Sequence, residues 1–174
     1  MTLNINTAKA LLAVIKTSGT RAYGELDRVQ VQTFRWSASP SGNRERGVRY
    51  LATNGHVLLC VEQKADNPAS MTISLDDLKE YVASKGYSTL TDRSDDYGDF
   101  PNWQQCIPSG SKATETIGLA AKYLKMLTDI GRFLKVGDLW KATFAGDLEA
   151  TRWEPTKLGD YSRVSFIIMP FRID

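Results

Sequence analysis

Asn54-Gly55 lies between two runs of strand-forming residues, Tyr50-Leu51-Ala52 and Val57-Leu58-Leu59-Cys60-Val61. No other short stretch of the chain restricts its fold as strongly. Asn-Gly between apolar alternations is the sequence of a tight β-hairpin, because the favoured two-residue turn needs positive φ at both central positions. The chain is therefore committed to antiparallel sheet around residue 55. The strand before the hairpin runs from Leu26 to Trp36, where Val29, Val31, Phe34 and Trp36 alternate with polar residues. Ser37 to Arg46, SASPSGNRER, reads as a polar loop between the two.

Helical periodicity appears in three places. Ala8, Leu11, Leu12 and Ile15 form one apolar stripe over Thr7 to Thr17, with Thr7 as N-cap and Ser18-Gly19 as stop. Lys9 and Lys16 share the opposite side, either as a solvated face or as a row of cations turned toward a phosphate backbone. Ser74 caps a second helix to Ser84, with Asp77 as a capping-box variant, Leu75, Leu78, Tyr81 and Val82 on its apolar side, and Gly86 at its end. A third helix covers Ala120 to Ile130, with Ala120, Tyr123, Leu124 and Leu127 apolar, Lys122 and Lys125 opposite, and Gly131 closing it. Strand-like runs follow within Phe133 to Phe144, from Leu148 to Trp153, and from Ser162 to Phe171.

The expected architecture is α+β. A β-α-β-β-β unit is duplicated, with its helices on one face of antiparallel sheets and a segment inserted between the copies. The chain of 174 residues is long enough for one domain with a real core. Within it, residues 1–66 form the first half, 67–112 the inserted helix and connector, and 113–174 the second half.

Composition narrows the function. Apolar residues make up 42% and charged residues 24%, as in ordinary soluble domains, and the net charge of +2 is too small for a dedicated nucleic-acid binder. The two cysteines, Cys60 and Cys106, are far apart and set among apolar residues, which fits buried thiols in a reducing compartment. The first residues carry Lys9 among polar positions and no cleavage-type sequence, and no window approaches a membrane-spanning length. A cytoplasmic protein without membrane contact is expected.

Catalytic chemistry finds no support. A single histidine, His56, cannot build a two-histidine metal site, and there is no Gly-rich phosphate loop, nucleophile elbow or CxxC pair. Asp92, Asp95, Asp96 and Asp99 lack the spacing and closing Glu of a calcium loop. No cofactor, metal or enzyme activity is expected. The bland reading of His56 is a hairpin residue whose ring bonds a neighbouring backbone group.

Three separated segments resemble one family, the bacterial DNA polymerase III β sliding clamp. Thr53-Asn54-Gly55-His56-Val57-Leu58 resembles that family's TDGHRL-type hairpin. Phe100-Pro101-Asn102-Trp103-Gln104-Gln105-Cys106-Ile107-Pro108 resembles its FP(D/N)-aromatic-RR-aliphatic-LP segment, and Ile168-Met169-Pro170-Phe171-Arg172 resembles its terminal VMPMR. The resemblance implies a sliding-clamp fold and a hydrophobic cleft, formed where these segments meet, that takes a short peptide from polymerases and other replication proteins. The implied pocket residues are Thr53, Gly55, His56 and Leu58 from the hairpin, Pro101, Gln105 and Cys106 from the connector, and Met169, Pro170 and Phe171 from the end of the chain. A peptide pocket needs apolar walls, an adaptable thioether and few polar anchors, which these residue types supply.

The resemblance also implies a ring of several copies around duplex DNA, with Lys9, Lys16, Lys122 and Lys125 facing phosphates independently of sequence. Departures are evident. A ring of that family contains several such domains, whereas this chain has material for one plus the connector. Val57 and Gln104-Gln105 stand where the family carries arginines, which removes charge-assisted contacts. A shortened relative of the kind found in phages or mobile elements is expected. The alternative is an interaction protein of the same fold that binds or inhibits host replication proteins without encircling DNA.

Overall fold

A computed structural model describes residues 3–16, 26–37, 44–108, 110, 117–146 and 149–170. Among the described residues seven strands form one antiparallel sheet: β1 (Arg28–Ser37), β2 (Arg44–Thr53), β3 (Val57–Lys64), β4 (Met71–Ser74), β5 (Trp140–Thr143), β6 (Thr151–Pro155) and β7 (Arg163–Ile168). Their order across the sheet is β4-β1-β2-β3-β7-β6-β5. Among the described residues three α-helices accompany them: α1 (Ile5–Ile15), α2 (Leu75–Ala83) and α3 (Ala121–Leu134).

Two α-β-β-β units are visible in this order, α1-β1-β2-β3 and α3-β5-β6-β7. They meet where the last strand of each pairs antiparallel, Val57 opposite Ile168 and Glu62 opposite Arg163. From that central seam each unit runs outward to its first strand. The 67–112 segment adds β4 beside β1, with Val29 opposite Ile73.

Strand alternation divides the sheet into two differently covered faces. Val29, Val31, Val48, Tyr50, Ala52, Val57, Leu59, Val61, Ile73, Val164, Phe166 and Ile168 point to the helices and form the main core with them. α1 packs against both α2 and α3 as well as against the sheet. Ala10 and Val14 are therefore buried in addition to the expected Ala8, Leu11, Leu12 and Ile15. Only a narrow stripe that includes Lys9 and Lys16 remains exposed. The opposite face carries a smaller cluster of Leu51, Leu58, Cys60 and Ile167, covered by Trp103 and Ala150 with Phe100, Ile107 and Met169 at its margin.

Several local expectations are corrected. α1 begins two residues earlier than expected because Asn4, not Thr7, caps it, its side chain accepting from the Asn6 N–H. Thr7 is instead buried inside the helix, its hydroxyl 3.1 Å from the Tyr161 hydroxyl. Thr17 and the expected Ser18-Gly19 stop lie outside the described residues. The Ser37–Arg46 loop is shorter than expected, since Ser37 and Arg44 to Arg46 are paired strand. β6 and β7 also shift: Leu148 and Phe171 fall outside the described residues, β6 runs on to Pro155, and β7 stops at Ile168.

Helix ends show the largest misreading. Gly131 does not close α3; it lies buried within it, because an added Cβ would come within 2.3 Å of the Gly137 carbonyl oxygen. The helix ends at Lys135, which takes the left-handed conformation at φ 57°. The Val136 N–H donates to Gly131 O and the Lys135 N–H to Arg132 O, the two bonds of a Schellman termination. α2 ends the same way on Lys85 at φ 58°, with Gly86 one position later and its N–H on Tyr81 O. The start of α2 follows expectation, since the Ser74 hydroxyl accepts from the Asp77 N–H.

Candidate functional site

The hairpin between β2 and β3 turns on side-chain hydrogen bonds. Asn54 Oδ1 accepts from the His56 and Val57 N–H groups, both at 3.0 Å, and the Thr53 hydroxyl donates to Val57 O at 2.7 Å. Gly55 alone has positive φ, at 85°. Both turn positions were expected to be left-handed, yet Asn54 supplies an acceptor and keeps an ordinary φ. The turn thus projects Gly55 and His56 beyond the sheet, where both are exposed. The His56 ring stacks on Tyr123 of α3, with centroids 6.1 Å apart and planes at 28°. Tyr123 thus gives the imidazole an aromatic partner on the helix side.

The far end of the chain reaches the same place. β7 ends at Ile168, and the next N–H, that of Met169, donates to His56 O at 2.9 Å. Pro170 follows a strand end, where its missing donor is tolerated. Ile168 itself faces the helices, whereas Ile167 faces the groove side.

The connector arrives from the third direction, pinned to the outer sheet face by two arginines. Arg28 is only 1% exposed. Its guanidinium donates to Gly98 O at 2.9 Å and Asp99 O at 2.8 Å, and lies 4.9 Å from the Tyr97 ring centroid and 5.8 Å from that of Phe100. Arg49 sits 4.8 Å from the Trp103 ring centroid and 4.9 Å from that of Phe34, and its Nε donates to Glu62 Oε1 at 2.7 Å. Between these anchors and the sheet, Trp103 to Cys106 wind into a 3-10 turn that delivers Cys106 to the hairpin. Sequence reading found neither arginine, because their partners are backbone carbonyls and rings far along the chain.

A narrow cavity of about 30 Å³ lies where the three segments meet, lined by Thr53, Gly55, His56, Val57, Leu58, Cys106, Ile167 and Met169. A broader depression of about 400 Å³ adjoins it across Cys106 and Met169, and is lined also by Gln105, Ile107, Pro108, Glu149 and Ala150. Six of the residues named from sequence line the first and Gln105 lines the second. Pro101 does not join them; it borders a separate depression with Gln30, Gln32, Asp99, Phe100, Asn102, Trp103 and Gln104. Pro170 is half-buried and lines neither, and Phe171 lies outside the described residues. Ile167 was missed although it stands two positions before Met169, the spacing that places strand residues on one face.

Polar chemistry at the groove is sparse. Cys60, behind it, is buried, and burial together with nearby Glu62 pushes its thiol up to about 12. Cys106 is only half-buried, in contrast to the buried thiol expected from its apolar neighbours. Both are free. Among the described residues no group of three or more His, Cys, Asp or Glu is placed to hold a metal ion. Asp92 braces the backbone instead, its carboxylate accepting from the Thr72 N–H at 3.0 Å and from the Ser94 hydroxyl at 2.6 Å.

The four lysines lie on α1 and α3, which pack together on the helix-bearing side, and all four are exposed. Lys125 Nζ is 3.0 Å from Asp129 Oδ2, and Lys122 Nζ lies 4.9 Å from the Tyr123 ring centroid. Among the described residues no helix is long and apolar enough to cross a membrane.

Fold and groove together define the class: the chain has the sliding-clamp fold. Solved structures with this fold include the Caulobacter crescentus pol III beta, at 15% identity and TM-score 0.63 over 98% of this chain and 65% of that one. A DNA polymerase sliding clamp from Bacillus subtilis matches at 14% identity and TM-score 0.59, covering 99% of this chain and 64% of the other. A DNA polymerase III subunit beta sliding clamp from Bartonella birtlesii, solved with bound griselimycin, matches at 12% identity and TM-score 0.63, covering 98% and 65%. This chain thus spans just under two thirds of the clamp chains it resembles. No protein-family model matches it, and no curated protein matches it in sequence.

Proposed function

We propose that this protein is a non-catalytic sliding-clamp-like factor of DNA replication that self-associates around duplex DNA and docks short polymerase-type peptides in the groove beside the hairpin. One observation carries the reading: Met169, Cys106 and the Thr53–Leu58 hairpin, each from a distant part of the chain, line a single apolar cavity. A protein interior fills such space. The adjoining depression of about 400 Å³ takes the peptide's anchor side chain, and the narrow cavity at its margin admits no more than the tip of one. Met169 adapts to the anchor's shape, while exposed Gln105 offers a polar contact that fixes its direction. Lys9, Lys16, Lys122 and Lys125 face the duplex and hold it through phosphates alone, so affinity falls steeply with salt.

Titration of a fluorescent clamp-binding peptide tests the docking. Binding that Met169→Ala weakens supports it; no binding, or equal binding by the variant, removes it. A second reading, a clamp-fold protein that binds replication proteins without encircling DNA, is favoured by Asp129, a carboxylate on the proposed inner face that engages both Lys125 and Arg132. Mass in solution separates the two: a strict monomer at high concentration favours the second reading, and a closed oligomer the first.

A further inference from the structure

Two arginines face each other where β1 and β2 run out beyond the helices. Along this strand pair Val31 stands opposite Tyr50, Thr33 opposite Val48 and Arg35 opposite Arg46. Val31, Tyr50 and Val48 belong to the core under the helices, and strand alternation carries the same face through Thr33 to the arginine pair. Arg35 and Arg46 therefore stand on the helix-bearing side, about 7 Å past the last buried rung at Val48. Both are exposed, as is Thr33.

Like charges directly opposite each other on one face of an antiparallel pair are destabilising. Among the described residues neither Arg35 nor Arg46 is ion-paired with a carboxylate. Glu45, adjacent to Arg46 in β2, belongs to the other face and is held by Lys64 Nζ at 2.6 Å. A depression of about 380 Å³ opens beside the pair, lined by Thr33, Phe34, Arg35, Arg46 and Pro68. Its lining joins two guanidiniums and a hydroxyl with no acid among them. Each guanidinium is a planar fork of N–H donors suited to phosphate oxygens, so a phosphate between them replaces their repulsion with charge-assisted contacts. The position selects the source of that phosphate, because Lys9, Lys16, Lys122 and Lys125 of α1 and α3 are exposed on the same side of the sheet.

We propose that Arg35 and Arg46 together hold one backbone phosphate of duplex DNA, extending the DNA-facing surface from the helices to the open end of the β1–β2 ribbon. The inference rests on the DNA-facing reading given above and deepens it. Contact is with phosphate alone and carries no base preference. The same pair lowers the stability of the free protein and raises its affinity for the duplex.

Anisotropy of a labelled duplex, titrated with wild type, Arg35→Gln/Arg46→Gln and Lys122→Glu/Lys125→Glu from about 50 to about 200 mM salt, tests the site. One lost phosphate contact removes about 0.9 from the log–log salt slope, so the arginine variant should lose about threefold less affinity than wild type across that range. Urea unfolding of the free protein supplies a second readout and shows that the variant folds. Relief of the repulsion raises the midpoint of the arginine variant at low salt, and added salt shrinks the gain. A wild-type salt slope, or a midpoint below that of wild type at low salt, overturns the proposal. If the arginine variant keeps its slope while the lysine variant flattens, the arginine site falls and the DNA-facing helices stand. If only the arginine variant flattens, the site stands and the helix assignment falls; wild type that binds no duplex removes both.

Discussion

Replacing Gly131 by Ala tests how α3 is held, because the position gives opposite signs under two readings. In an open helix interior, Ala is favoured over Gly by about 1 kcal/mol. Here the new methyl carbon lies 2.3 Å from the Gly137 carbonyl oxygen, and the backbone rather than a flexible side chain is the neighbour. Gly137 has φ 85° and follows the Schellman turn at Lys135 and Val136, so it cannot retreat without disturbing that termination. Overpacking of this kind costs about 1–3 kcal/mol, which offsets the propensity gain and leaves a net loss of up to about 2 kcal/mol. Lys135→Gly makes the complementary change. It removes the strain of a left-handed non-glycine residue and stabilises by up to about 1 kcal/mol. Urea unfolding followed by circular dichroism measures both, provided the transition slope is unchanged between variants. A Gly131→Ala variant stabilised by the full propensity gain of about 1 kcal/mol, or a destabilised Lys135→Gly, refutes the account of the helix end.

In native protein iodoacetamide is expected to label Cys106 and leave Cys60 intact, since burial pushes the Cys60 thiol up to about 12; mass spectrometry reads the ratio, and a saturating clamp-binding peptide slows the Cys106 reaction. Met169→Ala is expected to weaken that peptide by about 1–3 kcal/mol, the scale for a lost buried anchor, as read by fluorescence anisotropy. Reversing Lys122 and Lys125 to Glu should flatten the dependence of duplex binding on salt by about one unit of slope per lost phosphate contact; an unchanged slope refutes their placement. The Arg93 hydrogen bond holds the Asp77 carboxyl below its ordinary 3.8, and the Ser94 hydroxyl does the same for Asp92. Depressed folded values mean that the hold of this segment on Thr72 is fully present above that pH and weakens as pH falls below it, so Thr72 exchange, corrected for its intrinsic rate, should rise on acidification below 3.8. Asp77→Asn should remove much of that rise.

Periodicity and turn chemistry were legible because they are local. The α1 stripe from Ala8 to Ile15, the Ser74 cap with Asp77, and the alternation in Val29–Val31 and Val57–Val61 each depend on neighbours a few residues away. The hairpin was legible for the same reason, although its mechanism was not. Asn54 acts through its side chain, and sequence alone does not distinguish an Asn in a left-handed turn from one that accepts two N–H groups. Most of the groove was legible through resemblance alone; apolar periodicity does not tell Met169, which lines it, from Ile168, which is core.

The sequence by itself determined the three helices, the strands other than β4 and the antiparallel character of the hairpin, since these follow from backbone sterics and the spacing of apolar side chains. Tertiary structure alone decided that Gly131 lies inside α3, where it makes room for the Gly137 carbonyl, and that left-handed Lys135 ends the helix. It also decided that Arg28 and Arg49 hold the connector and that Asp92 braces Thr72. Those assignments rest on partners tens of residues away, and a short polar side chain or a guanidinium takes whichever carbonyl, ring or amide the fold brings within reach.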